Sequence, residues 1–249
     1  MKKDLIIHEA PKSPVSEAIR TLRTSITSKM TKTHDKVFLI TSSSIEEGKS
    51  WVVSNLAIAF TQSKQKVLII DADLRKGRQA NIFSLNSSYG FSNALDNSKI
   101  SNDNNSLDEE IQKAIFKTQI DNLFIMPSGM FPSKPSELLE NEQFDIILEN
   151  LKDKFDIILL DAPPINIVTD SMILCNKADS VIIVCAIGKT KRDSLVETKK
   201  KIKNMGGNIL GVVINKMPID KLKEYTKDYT KYNNNKIIKI ENPKLKNIS

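Results

Sequence analysis

What this sequence lacks narrows it first. Its 249 residues include two cysteines, Cys175 in "MILCNKA" and Cys185 in "VIIVCAIG", each inside an apolar segment. That placement argues against a metal or redox role and reads as two reduced core residues. No apolar run approaches the roughly 20 residues that cross a bilayer, and "MKKDLIIHEAPKSP" holds too short an apolar stretch for a secretory signal. A cytoplasmic chain is expected. No internal repeat occurs, and no recognised DNA- or RNA-binding motif accompanies the net charge of +7, so direct nucleic-acid binding is not expected. Much of the excess lies in "KMPIDKLKEYTKDYTKYNNNKIIKIENPKLKNIS", where lysines alternate with polar and apolar residues. This reads as a solvated tail, with a membrane-proximal acidic partner as the alternative.

What is present is ordinary for a globular protein: 40% hydrophobic and 27% charged residues, enough for one sizeable α/β core. Residues 13 to 30, "SPVSEAIRTLRTSITSKM", begin with Ser13 as N-cap and Pro14 at the first helical position, followed by apolar residues at helical spacing. "KVFLIT" (36 to 41) then leads into "TSSSIEEGKSW", after which "SWVVSNLAIAFTQS" has the composition of a buried helix. Further strands are predicted at 65 to 73, 121 to 129, 155 to 164, 180 to 188 and 208 to 216. Helical stretches lie between them, notably at 136 to 151 and 191 to 205. Nearly continuous apolar strands separated by helices predict a mostly parallel sheet with helices on both faces, of the P-loop NTPase-like α/β class. The Asn-, Ser- and Asp-rich stretch from "NSSYGF" to "SLDEE" reads as a surface excursion with at most short helices. The final 25 or so residues read as a flexible tail.

Gly48-Lys49-Ser50 stands between a predicted strand and helix, so the free N–H groups of the helix N-terminus would face phosphates. Lys49 would contact the β and γ oxygens, and the Ser50 hydroxyl would ligate Mg2+. Asp71 and Asp73 end an apolar strand, where ligands of open α/β sheets bind, and alternation places both carboxylates on one side. Asp73 alone could instead cap the next helix. Asp161 ends "FDIILLD", where a carboxylate is costly unless a cation or hydrogen bonds compensate it.

With these residues in place, the chain resembles a bacterial tyrosine kinase of the type that controls capsule and exopolysaccharide synthesis. More narrowly, it resembles the cytoplasmic Gram-positive kinase whose membrane-spanning activator is a separate protein. "SSSIEEGKSWVVSNLAIAF" is similar to the family's Walker A region, "VLIIDADLRKGRQ" to its Walker A′ motif and "FDIILLDAPPINIVTD" to its Walker B region. "PSGMFPSKPSELLE" and "GNILGVVINKMP" match two further stretches. The resemblance implies ATP and Mg2+ as cofactors, held by Ser44, Glu46, Glu47, Gly48, Lys49, Ser50 and Trp51 of the loop region, with Asp71 and Asp161 around the metal and Asn215 at adenine. Lys49, Asp71 and Asp73 would be catalytic, Asp71 or Asp73 accepting the tyrosine proton, with Asp71 preferred.

The resemblance also implies three parts: an oligomerisation segment at 1–35, a kinase domain at 36–218 and a tyrosine tail at 219–249. Glu17, Arg20 and Arg23 form E-x-x-R-x-x-R on one helix face, which in the family docks subunits into a ring-like homo-oligomer. A solvated charged face is the alternative. Tyr225, Tyr229 and Tyr232 would be the autophosphorylation sites, with aromatic residues of an amphipathic helix as the alternative; Tyr89 is a weaker acceptor candidate. A transmembrane activator's cytoplasmic segment would recruit the chain to the inner membrane face, and a tyrosine phosphatase would reverse the modification.

Two features depart from the family. Ser43 and Glu46 stand where the loop carries glycines, and Gly77 replaces a frequent proline. Glu46 would need a left-handed backbone, and its charge would oppose phosphate unless it faced solvent or paired with a cation. Three readings therefore compete: an autophosphorylating tyrosine kinase, a pseudokinase assembly subunit, and a partitioning-type ATPase. The last class carries a signature lysine where this chain has Ser44.

Overall fold

The computed structural model describes residues 4–85, 88–97 and 104–218. Its strands are β1 (Val37–Ser42), β2 (Val67–Asp71), β3 (Phe116–Lys117), β4 (Leu123–Met126), β5 (Ile157–Asp161), β6 (Ser180–Ala186) and β7 (Ile209–Asn215). All but β3 are the apolar runs read from the sequence. They form one sheet in the order β3-β4-β2-β5-β1-β6-β7, parallel throughout except for β3 against β4.

Alternation explains why the runs are continuous rather than half polar. Val37 and Leu39 of β1, Leu68 and Ile70 of β2, and Ile158 and Leu160 of β5 pack into one core. Phe38, Ile40, Val67, Ile69, Ile157 and Leu159 pack into the other. A strand buried on both faces has no solvent side to carry polar residues.

The helices are α1 (Ile6–Glu9), α2 (Pro14–Thr33), α3 (Lys49–Thr61), α4 (Gln79–Ile82), α5 (Phe91–Asn97), α6 (Asn104–Ala114), α7 (Pro135–Leu139), α8 (Glu142–Lys154), α9 (Asp170–Cys175) and α10 (Arg192–Asn204). α2 starts as expected, with Ser13 Oγ accepting the Ser16 N–H at 3.1 Å and Pro14 at the first turn. α3 is buried from Val52 to Phe60, because α1 and α2 cover the side turned away from the sheet. The expected helix over 136 to 151 divides into α7 and α8, since Asn141 caps the second by accepting the Gln143 N–H.

The polar excursion is a correction. It forms α5 and the 11-residue α6, and these place Phe91, Ala94, Leu95, Leu107 and Ile111 in the core. Cys175 is buried and free, its thiol pushed up to about 12 by burial. No helix among the described residues is long and apolar enough to cross a membrane. Contacts divide the chain into Met1–Lys216 and Met217–Ser249, and Tyr225, Tyr229 and Tyr232 lie outside the described residues.

Candidate active site

The loop between β1 and α3 ends at Gly48, whose φ of 90° opens the helix. A Cβ there would lie 2.0 Å from Asn215 Nδ2, so this glycine is required both by conformation and by close approach. Asn215 donates to the Glu47 carbonyl at 2.9 Å, which ties the end of β7 to the loop. The Glu47 carboxylate is buried and accepts from the Ser44 N–H (2.9 Å) and the Thr190 hydroxyl. Ser44 and Glu47 therefore shape the loop from behind. The residues that line the adjoining cavity of about 450 Å³ include Glu46, Gly48, Lys49, Ser50, Trp51, Asp73 and Asn215.

The two non-glycine positions are each accommodated. Ser43 is fully buried, and its hydroxyl accepts from Thr198 Oγ1 at 2.9 Å. Glu46 does adopt the left-handed conformation, with φ of 58°. Its side chain is 74% exposed and pairs with Lys189 at 3.0 Å. The Lys189 hydrogen bond and charge hold its carboxyl below the usual carboxylate range, aided by Lys216 and Lys76. Sequence reasoning found the strain and the charge. The cation arrives from the turn after β6, 143 residues away.

Below the cavity, the β2–β5 register sets Asp71 directly beside Asp161. Both are 1% exposed. Burial first, and then Asp161, push Asp71 well above the ordinary range, against an opposing hydrogen bond from Gln79. Burial likewise raises Asp161, against hydrogen bonds from Gln79 and Ser50 and the charge of Lys49. Lys49 is itself 8% exposed, and its pKa is lowered by burial against the opposing charges of Asp161, Asp73 and Glu47. Asp73 lines the cavity while its Oδ1 accepts the Arg75 and Lys76 N–H groups at 3.3 and 2.9 Å. Those bonds close the turn after β2 rather than cap α4, whose N-cap is Arg78 without a side-chain bond, so the helix-capping alternative for Asp73 is corrected to a turn-closing one.

Among the described residues, Asp71 Oδ1 and Asp161 Oδ1 are buried without a hydrogen-bond partner. Two unsatisfied carboxylate oxygens beside the Ser50 hydroxyl form a hard-oxygen donor set that suits Mg2+. The residues present fit that ion.

Sequence reasoning missed several supports. Gln79 bonds both aspartates, and its only signal was its place at the end of the A′ stretch. Arg75 holds the buried Asp170 through Nε (2.8 Å) and Nη2 (3.1 Å), and Ser136 Oγ donates to Asp170 at 2.7 Å. This links the A′ and "PSKPSELLE" stretches through a residue in neither. Burial would raise the Asp170 carboxyl, but the Arg75 and Ser136 hydrogen bonds outweigh it and hold it low. Gly77 also has a local reason: a Cβ there would lie 2.2 Å from Ser128 Oγ and 2.9 Å from Asp71 Oδ2.

Of the helix triad, Glu17 and Arg20 pair with each other at 3.0 Å. Arg23 instead crosses to the end of α3, donating to the Ala59 carbonyl (3.3 Å) and Ser63 Oγ (2.5 Å). Tyr89 donates its hydroxyl to Glu110.

Residues 46–210 match the AAA domain family. The chain is 35% identical over 221 residues to the putative tyrosine-protein kinase CapB of Staphylococcus aureus, covering 89% of this chain and 92% of that one. It is 33% identical to the tyrosine-protein kinase YwqD of Bacillus subtilis, covering 90% and 91%. The crystal structure of the chimerical protein CapA2B2 superposes with a TM-score of 0.78 at 33% identity, covering 88% of this chain and 92% of that one.

Proposed function

The chain belongs to the bacterial tyrosine-protein kinases, and we propose that it uses Mg·ATP to phosphorylate Tyr225, Tyr229 and Tyr232 in the tail of a neighbouring copy. The observation that carries this reading is the pair of free buried oxygens on Asp71 and Asp161, set beside Ser50 and below a cavity walled by Lys49. Burying two carboxylates side by side destabilises the fold, so the arrangement has a rationale only if a cation completes it.

Lys49 and the N–H groups at the start of α3 would bind the phosphate oxygens, and Ser50, Asp71 and Asp161 would hold the metal. Mg2+, when bound, supplies charge neutralisation for the phosphates. The acceptor tyrosine must pass its proton to a carboxylate. Geometry precedes basicity in choosing that group, and Asp73 opens to the cavity while Asp71 is buried beneath it. We assign proton acceptance to Asp73, leaving Asp71 to the metal. Asn215 remains a contact for the base through its side chain on the cavity wall.

The ion pair between Glu46 and Lys189 removes the main argument for a pseudokinase, because the misplaced charge has a local partner. By its resemblance the kinase would work as a ring-like oligomer recruited to the membrane by a separate activator, opposed by a tyrosine phosphatase, and would regulate capsular or extracellular polysaccharide synthesis. The test is to incubate the purified chain with Mg·ATP and a fusion bearing its activator's cytoplasmic segment, then probe for phosphotyrosine. Signal is expected in the wild type and absent from Lys49→Met and from the triple Tyr→Phe variant of Tyr225, Tyr229 and Tyr232. An unphosphorylated wild type that still assembles would overturn the kinase reading.

A further inference from the structure

Gln79 is fully buried at the first residue of α4, and its backbone N–H and both side-chain polar atoms have partners around the site. Its backbone N–H donates to Asp71 Oδ2 at 2.8 Å. Its side-chain Nε2 donates to Asp161 Oδ2 at 2.7 Å and to the Ser50 carbonyl at 3.2 Å. Its Oε1 lies 2.9 Å from Ser54 Oγ, whose single hydrogen is shared between this oxygen and the Ser50 carbonyl at 2.7 Å. One residue thus touches both carboxylates and, through Ser50, the first turn of the phosphate-loop helix.

The bonds are selective between the two oxygens of each carboxylate. On each aspartate Gln79 engages Oδ2, and on each aspartate Oδ1 is the atom left without a partner. Because Asp71 and Asp161 are register neighbours on adjacent strands, fixing one oxygen of each sets the rotation of both carboxylate planes together. A carboxylate free to rotate would exchange its two oxygens and blur the donor set.

We infer that Gln79 is the positioning residue for the metal: it holds the Oδ2 pair so that the Oδ1 pair and the Ser50 hydroxyl form the Mg2+-binding face. The inference rests on reading this site as a Mg·nucleotide site. Gln79 does not touch the ion; it orients the groups that do, and partners of this kind typically change metal affinity by about 10- to 100-fold.

The experiment measures ADP affinity by calorimetry across a Mg2+ series and in EDTA, for the wild type, Gln79→Met and Ser54→Ala. Methionine keeps the volume and the backbone N–H bond to Asp71 but removes the side-chain donor to Asp161, and Ser54→Ala removes the hydroxyl beside Gln79 Oε1 while leaving Gln79 in place. In Gln79→Met the Mg2+ concentration that half-maximally tightens ADP binding rises about tenfold or more, while affinity in EDTA stays within about twofold. Ser54→Ala shifts the Mg2+ midpoint the same way by a smaller factor, and it carries the test if Gln79→Met does not fold. An unchanged midpoint in the folded variants overturns the inference. So does an equal loss in Mg2+ and in EDTA, which would make Gln79 merely structural. A wild type whose ADP affinity ignores Mg2+ would sink the site reading itself and the inference with it.

Discussion

At Asp71 the cost of the site is visible in a single side chain. Its carboxyl is raised above the ordinary range by burial and by Asp161, so between its ordinary and its folded pKa the folded state binds the proton more tightly than the unfolded chain. In the metal-free protein this group therefore stabilises the fold at low pH and loses that contribution as pH rises through the folded pKa. Asp71→Asn should raise the metal-free melting temperature at neutral pH by a few degrees, on the order of 1 kcal/mol, flatten its pH dependence and abolish phosphotyrosine formation; an unaltered neutral-pH melting curve would argue against the strain. Lys189 gives a second residue-scale expectation. Lys189→Ala leaves the Glu46 charge facing the cavity and should weaken ATP binding several-fold by calorimetry, whereas in a Glu46→Gly background the same change should have little effect. Equal losses in both backgrounds would mean that Lys189 acts on the nucleotide itself. The sequence made Lys49, Ser50, Asp71, Asp73 and Asp161 legible because each sits at a strand end or helix start. It hid the parts played by Gln79, Asp170 and Lys189, because they act through partners such as Asp161, Arg75 and Glu46 that are distant in the chain, and no local pattern encodes a contact across a fold.

Among the elements, α1 was the least legible and has a clear task. Four residues carry no helical period, yet Leu5 and Ile7 are buried, and Asn55 on α3 clasps this segment. Its Nδ2 donates to the Asp4 carbonyl at 2.8 Å and its Oδ1 accepts the Ile7 N–H at 3.2 Å. Asn55→Ala leaves the buried Ile7 N–H without its Asn55 partner, a penalty of about 1–3 kcal/mol. Loss of several degrees in melting temperature, with faster amide exchange at Ile7, is the expected outcome; an unmoved Ile7 amide would show the clasp to be idle. The same contrast between local pattern and assembled structure explains the other differences. β3 is two residues long, too short to alternate. The Asn-rich excursion was read as surface from its composition, but Phe91, Leu95, Leu107 and Ile111 turn inward once α5 and α6 pack against the sheet. The six longer strands were plain from the outset: in the inner strands burial on both faces leaves a continuous apolar run, and the edge strand β7 is as apolar although Val212 and Ile214 are exposed.

For the whole molecule, the proposed ring gives the helix triad a test that separates folding from assembly. Glu17 and Arg20 form an ion pair within α2 whose contribution to stability is small, Arg20 also donating to the Pro11 carbonyl at 2.6 Å, whereas Arg23 fastens α2 to α3. The double variant Glu17→Ala/Arg20→Ala should melt within about 2–4 °C of the wild type yet elute as a smaller species in light scattering. Arg23→Ala should lower stability as well, and equal melting losses in both would place the whole triad in the protomer's own packing. Residues 217–249 hold eight lysines against four acidic residues. Three phosphotyrosines would add about −5 of charge, enough to reverse the segment's sign, and assembly sensitive to that reversal should depend on salt. One further property belongs to the chain entire: it contains a single tryptophan, and that residue is Trp51 on the cavity wall. The protein's indole emission therefore comes from one place, the place a nucleotide would occupy. A fluorimeter trace of the unlabelled protein follows occupancy at this wall directly, and the same trace ranks the variants proposed to alter nucleotide binding without a dye, a tag or a coupled assay.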